Sequence, residues 1–217
     1  MQAPPSDLEI EAAVAEVAGR DPVMAAHIAR AGPFRPRPGH GDFFKALARS
    51  IVFQQLAGKA AAAIHGRFEQ AVGGDVNPGA VLATPLEALR ASGLSAAKAT
   101  SLIDLATRVG DGSVPLEGID AYDDEEIIAR LSTVRGIGRW TAEMFLLFEL
   151  GRLDVWPVGD LAIRAGWRLI YGLDAPPTQK ELGPMGDRFR PFRTIPAWYS
   201  WQAVHMARGE LIVPDGS

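Results

Sequence analysis

The chain has 217 residues, 47% of them hydrophobic and 22% charged, which supplies a sizeable core and excludes a disordered polypeptide. Lysine plus arginine is 22 and aspartate plus glutamate 26, a net charge of −4, so any contact with a polyanion must be a local patch. There is no cysteine, which excludes disulfides, cysteine-ligated zinc, iron–sulfur clusters and thiol nucleophiles.

The longest apolar runs, such as Met144 to Phe148, are far short of a membrane span. Met1 to Asp7 has two prolines and no basic residue, unlike a signal peptide, so a cytoplasmic location without membrane contact is expected. In chain order, nearly every segment has helical spacing. Ser6 to Gly19 carries Leu8, Ile10, Val14 and Val17, and Asp21 to Ala31 carries Val23, Met24 and Ile28, with Asp21 as N-cap and Pro22 at the first helical position. Gly32 to Gly41, with three prolines and three glycines, reads as a loop. Asp42 opens an apolar helix to about Leu56, and Gly58 to Val72 is another, its Ala60 to Ala63 run permitting close packing.

Thr84-Pro85-Leu86-Glu87 reads as a capping box opening a short helix that Gly93 ends, and Ser95 to Val109 follows. Asp123, with Glu126 three residues on, caps a helix to about Ser132, and Gly138 to Leu150 forms the next. Asp160 is placed as N-cap of a helix to Tyr171, Thr178 to Glu181 caps another, and the last runs from about Ala197 to Arg208. The best strand candidate, Leu153 to Val158, is interrupted by Pro157. The class is all-α. A single globule over residues 1–217 is expected, which the Gly/Pro-rich loops can divide into two helical lobes.

The informative stretch is Ser132-Thr133-Val134-Arg135-Gly136-Ile137-Gly138-Arg139-Trp140-Thr141-Ala142. Two glycines bracket one apolar residue between helices, so the chain can turn sharply and expose backbone N–H groups at the positive end of the second helix. Such a turn binds phosphate without lysine, of which the chain has only Lys45, Lys59, Lys98 and Lys180. Asp160 lies 22 residues after Gly138, in Val155-Trp156-Pro157-Val158-Gly159-Asp160.

This order of motifs resembles the helix-hairpin-helix DNA glycosylase superfamily, most closely its alkylated-base branch, 3-methyladenine DNA glycosylase II. The hairpin motif occupies about residues 123–150. The resemblance extends to Ser50 through Leu56 with Lys59, Gly93-Leu94-Ser95 through Lys98, and Arg190-Pro191-Phe192-Arg193 through Trp198-Tyr199-Ser200-Trp201, covering about residues 20 to 205. Longer bacterial members carry an N-terminal α/β domain for which too few residues precede Asp42. The resemblance implies two helical lobes with the active-site cleft between them, a monomer, and double-stranded DNA with alkylated bases as partner.

It implies further roles residue by residue. Asp160 is the catalytic carboxylate, stabilising positive charge on deoxyribose and orienting or deprotonating water. Trp140, Trp201 and Met144 form the base pocket, where aromatic walls favour a cationic alkylpurine, while Trp156 and Trp198 belong to the core. Gly136, Ile137, Gly138, Arg139 and Thr141 contact the DNA backbone, as does the Gln54-Gln55-Leu56 segment, at whose end Gln55 or Leu56 is the wedge filling the gap of the flipped base. Backbone carbonyls of Ser132, Val134 and Ile137 fall where family members bind an alkali-metal ion, Na+ or K+. The lysine with which lyase branches attack the sugar is replaced here by Trp140, which implies a monofunctional hydrolase needing no cofactor for its chemistry.

His27, His40, His65 and His205 are scattered without zinc spacing, and Asp123 to Glu126 reads as an acidic first helical turn. The competing functional class is a non-catalytic lesion- or structure-binding protein that keeps the hairpin and uses Asp160 only as a cap.

Overall fold

The computed structural model of the chain describes residues 6–35, 39 and 41–209. Among them the secondary structure is entirely helical, and the residues divide into two compact units, 39 and 41–145 in one and 6–35 with 146–209 in the other.

In the first unit Asp42 caps α3 (Phe43–Phe53) by accepting the Lys45 N–H at 3.0 Å; α1 (Asp7–Arg20) and α2 (Pro22–Ala31) precede it in the other unit. There follow α4 (Gly58–Ala71), α5 (Pro78–Ala83), α6 (Leu86–Ala91), α7 (Ala96–Gly110), α8 (Asp124–Leu131) and α9 (Arg139–Phe148), whose residues from 146 on belong to the second unit. Helix α7 is central, packing against α3, α5 and α6. Its Ala99, Leu102, Leu105 and Ala106 are wholly buried, as are Leu47 and Ile51 of α3, Phe68 of α4 and Leu89 of α6. That apolar burial is the main stabilising term of the unit.

The second unit begins with α1 (Asp7–Arg20), which starts at a reciprocal capping box of Ser6 and Glu9, and α2 (Pro22–Ala31), capped by the Asp21 carboxylate. It resumes with α10 (Leu161–Tyr171), α11 (Gln179–Met185) and α12 (Thr194–Ala207). Trp167, Tyr199, Phe189 and Met24 fill its core, with Trp156 edge-on to Trp167 at 5.2 Å. Helices α10 and α12 touch backbone to backbone: a Cβ added at Gly166 would overlap the Ser200 carbonyl.

Several expectations need correcting. Thr84 does not cap α6, because its hydroxyl donates instead to the Ala80 carbonyl at 2.8 Å and closes α5, a helix the spacing did not predict. Asp123 stands at the N-cap of α8 but accepts no capping hydrogen bond, while Glu126 pairs with Arg130 one turn on. Helix α3 ends at Phe53, three residues early, because the chain turns left-handed at Gln55. Leu8 faces solvent, and of Ala60 to Ala63 only Ala61 is buried. Parts of the 32–41 loop, including His40, lie outside the described residues.

Candidate active site

In the first unit the hairpin between α8 and α9 is pinned from below. Val134 and Ile137 are buried, and the Ile137 N–H donates to the Val134 carbonyl at 3.1 Å. Ile137 therefore anchors the turn, leaving only its backbone to meet a ligand. Gly136 has φ +81°, and an added Cβ would lie 2.6 Å from Ser101 Oγ, so this residue must be glycine for both conformation and space. Gly138 has open space at that position. The α9 N-terminus thus opens directly on an exposed glycine turn, which suits a phosphate.

The predicted side chains around the turn divide into two groups. Trp140 is 47% exposed, Met144 half-buried and Thr141 buried. Arg139 is engaged by carboxylates, with Nη1 3.1 Å from Glu125 Oε1 and 3.5 Å from Glu143 Oε1, and these partners raise its guanidinium above the usual range, Glu125 foremost. Gln54 also turns inward, its amide donating to the Gly136 carbonyl at 2.8 Å. Gln55 and Leu56 are exposed at the tip of the same turn. Gln55 has φ +57°, and such strain in a non-glycine residue marks functional segments.

In the second unit Asp160 is 7% exposed at the start of α10. Its Oδ1 accepts the N–H groups of Ala162 at 2.8 Å and Ile163 at 2.9 Å, and the indole N–H of Trp201 at 3.2 Å. Three donors on one oxygen fix the carboxyl group's plane. The Trp201 ring stacks on Phe148, centroids 5.7 Å apart and planes 24° apart. Trp201 thus orients the Asp160 carboxyl while its own ring is fixed by the stack on Phe148.

The loop leading to Asp160 is held equally firmly. Arg193 Nε donates to Asp154 Oδ1 at 2.7 Å and Arg193 Nη2 to Asp154 Oδ2 at 3.0 Å, a two-pronged pair joined by Arg190 Nη1 at 3.0 Å. Thr194 Oγ1 accepts the Val155 N–H at 3.0 Å and donates to the Arg152 carbonyl at 2.7 Å. Trp156 Nε1 donates to the Leu182 carbonyl at 3.0 Å, and its ring lies where a Gly186 Cβ would be, 2.5 Å away. The carboxylate is therefore preorganised, as charge stabilisation in a transition state requires.

Among the described residues no three His, Asp or Glu side chains are grouped to hold a metal ion. Of the hairpin carbonyls, that of Val134 has one lone pair engaged by the Ile137 N–H.

The HhH-GPD superfamily of base excision DNA repair proteins matches residues 48–183, which include the hairpin and Asp160. The chain belongs to this superfamily. Within it, DNA-3-methyladenine glycosylase 1 of Schizosaccharomyces pombe is 39% identical over 167 residues, covering 76% of this chain and 73% of the relative. Two solved structures superpose closely. The 3-methyladenine DNA glycosylase of S. pombe bound to abasic DNA has a TM-score of 0.79 at 36% identity, covering 88% of this chain and 95% of that one. A DNA-3-methyladenine glycosidase from Bacillus halodurans gives 0.84 at 35%, covering 91% of both.

Sequence reasoning missed three residues that shape these two units. Gly166 and Ser101 carry no local motif, although a glycine inside an apolar helix is itself a signal of close approach. Glu143, only 5% exposed, was hidden in an apolar run, and its spacing of four from Arg139 was the available clue.

Proposed function

We propose that this chain is a monofunctional DNA glycosylase of base excision repair, acting as a monomer on duplex DNA. It flips alkylated purines such as 3-methyladenine and 7-methylguanine into a pocket and hydrolyses their bond to deoxyribose. The observation that carries this reading is the buried Asp160 carboxyl held by three N–H donors, Trp201 among them. In the reaction the N-glycosidic electron pair leaves with the base and neutralises its positive charge. Water forms the new bond to the sugar carbon and loses its proton toward Asp160. A cationic base is already a good leaving group, so no general acid is required.

Trp140 stands where lyase relatives carry their nucleophilic lysine, by resemblance, so the product strand is abasic and unbroken. Backbone amides of the glycine turn grip phosphate, and Gln55 or Leu56 fills the vacated space. An alkali-metal ion at the carbonyls of Ser132, Val134 and Ile137 would strengthen that grip. Their hard oxygen donors suit Na+ or K+.

Base release from methylated duplex DNA, with free bases resolved by chromatography, tests the proposal. Wild type should release 3-methyladenine or 7-methylguanine, and Asp160→Asn should lose about 10³-fold or more. Asparagine can still cap α10, so the variant should fold and bind DNA. Equal release by both proteins would remove Asp160 from the chemistry. Tight binding to abasic DNA without release from any alkylated substrate would establish the non-catalytic lesion binder instead.

A further inference from the structure

The motif Gly93-Leu94-Ser95 through Lys98 finds no place in the chemistry above, yet it starts α7, and α7 reaches both turns assigned to DNA. Lys98 Nζ donates to the carbonyls of Val52 and Gln54, both at 2.7 Å. These are carbonyls left without helical partners where α3 ends, and a cation there also suits the helix dipole. Burial lowers the Lys98 ammonium below its usual range.

One turn along α7, buried Ser101 sits beneath Gly136. A turn further, Asp104 Oδ2 accepts the Arg135 N–H at 2.7 Å. Partial burial pushes the Asp104 carboxyl up, but the Arg135 N–H and Arg108 outweigh it and hold it below the ordinary range. The Gln54 amide closes the circuit on the Gly136 carbonyl at 2.8 Å. Residues 98, 101 and 104 therefore brace the strained turn and the glycine hairpin from one helix.

We propose that Lys98 is a positioning residue for base flipping, holding the Gln54–Leu56 turn in its left-handed form and locking it to the hairpin. The wedge and the phosphate grip then act on DNA as one rigid body. Without the ammonium, two carbonyls lose their donor, Gln55 can relax from φ +57°, and the wedge enters the stack less readily. The inference rests on the glycosylase reading. It assigns Lys98 no contact with base or sugar.

The test is single-turnover base release from two duplexes, one with the alkylated purine opposite its normal partner and one with it opposite an abasic site. Flipping costs less in the second, because the base is already unpaired. Lys98→Met keeps the side-chain length and loses the ammonium. It should be slowed about tenfold on the paired duplex, the equivalent of one charge-assisted hydrogen bond. On the unpaired duplex it should stay within about twofold of wild type. Lys98→Arg, which can still donate to both carbonyls, should recover most of the paired rate.

Equal slowing on both duplexes, or none on either in a folded Lys98→Met, would overturn the inference. If thermal melting shows that Lys98→Met does not fold, Lys98→Gln, which has a shorter neutral amide in place of the ammonium, is measured in its stead. It must show the same dependence on pairing, and its absence overturns the inference as well. A wild type that releases no base from either duplex overturns the glycosylase reading and this inference with it. An active wild type matched by Lys98→Met overturns only the role of Lys98.

Discussion

The unit with the hairpin and the unit with Asp160 carry function by different means. The hairpin works with backbone: an exposed glycine turn, buried anchors at Val134 and Ile137, and supporting side chains from α7. The Asp160 unit works with a side chain, a carboxyl 7% exposed whose orientation depends on Trp201, Phe148 and the loop bound to Arg193. A site made of amides resists loss of surface side chains and is vulnerable to an added Cβ. A site made of one carboxylate is vulnerable to the loss of a single N–H donor.

The largest effect that would break this contrast lies at Gly166, where α10 and α12 meet. Gly166→Val should cost about 4 kcal/mol or more and leave little folded protein, measured by denaturant unfolding, because a backbone carbonyl occupies the space. Trp201→Phe sharpens it, since phenylalanine keeps the stack on Phe148 and removes only the donor to Asp160. Single-turnover release should fall about tenfold with DNA affinity unchanged. A drop in affinity with the rate intact would make Trp201 a base-stacking wall alone.

At the hairpin two neighbouring glycines should behave differently. Gly136→Ala meets Ser101 and a left-handed backbone, so it should lower both stability, by about 1–2 kcal/mol, and DNA affinity. Gly138→Ala meets nothing and should leave the melting temperature unchanged while weakening binding to abasic DNA a few-fold, about what one crowded phosphate contact costs. Equal melting losses would mean that the turn is not built as described.

The smallest effect is that of pH on the core of the second unit. Burial lowers the pKa of His27 despite its hydrogen bond to the Tyr199 carbonyl at 3.0 Å. The folded protein thus takes up a proton less readily than the unfolded chain. His27 costs no stability above the unfolded pKa of about 6.5 and a growing amount as pH falls toward its folded value. Melting temperature should drop modestly from pH 7.5 to pH 5.5, and less in His27→Gln. His65, also lowered by burial, should account for part of the remainder.

Much of this was legible in the residues themselves. Caps at Asp21, Asp160 and Thr178 are read correctly because a capping side chain bonds amides two or three residues away. Thr84 shows the limit. Its hydroxyl had a carbonyl behind it and amides ahead, and which partner it took depended on α5, whose apolar period was too short to recognise.

The sequence by itself determined the all-helical class, the glycine hairpin and the aspartate at a helix start, because each is a matter of residue type at short spacing. Only the tertiary structure decided which side chains serve those features. Trp201 reaches Asp160 across 41 residues, Lys98 reaches Val52 across 46, and Gln54 reaches Gly136 across 82. Such partners are chosen by helix packing, which sums many weak and non-directional contacts over a whole unit, so no local pattern of residues specifies them.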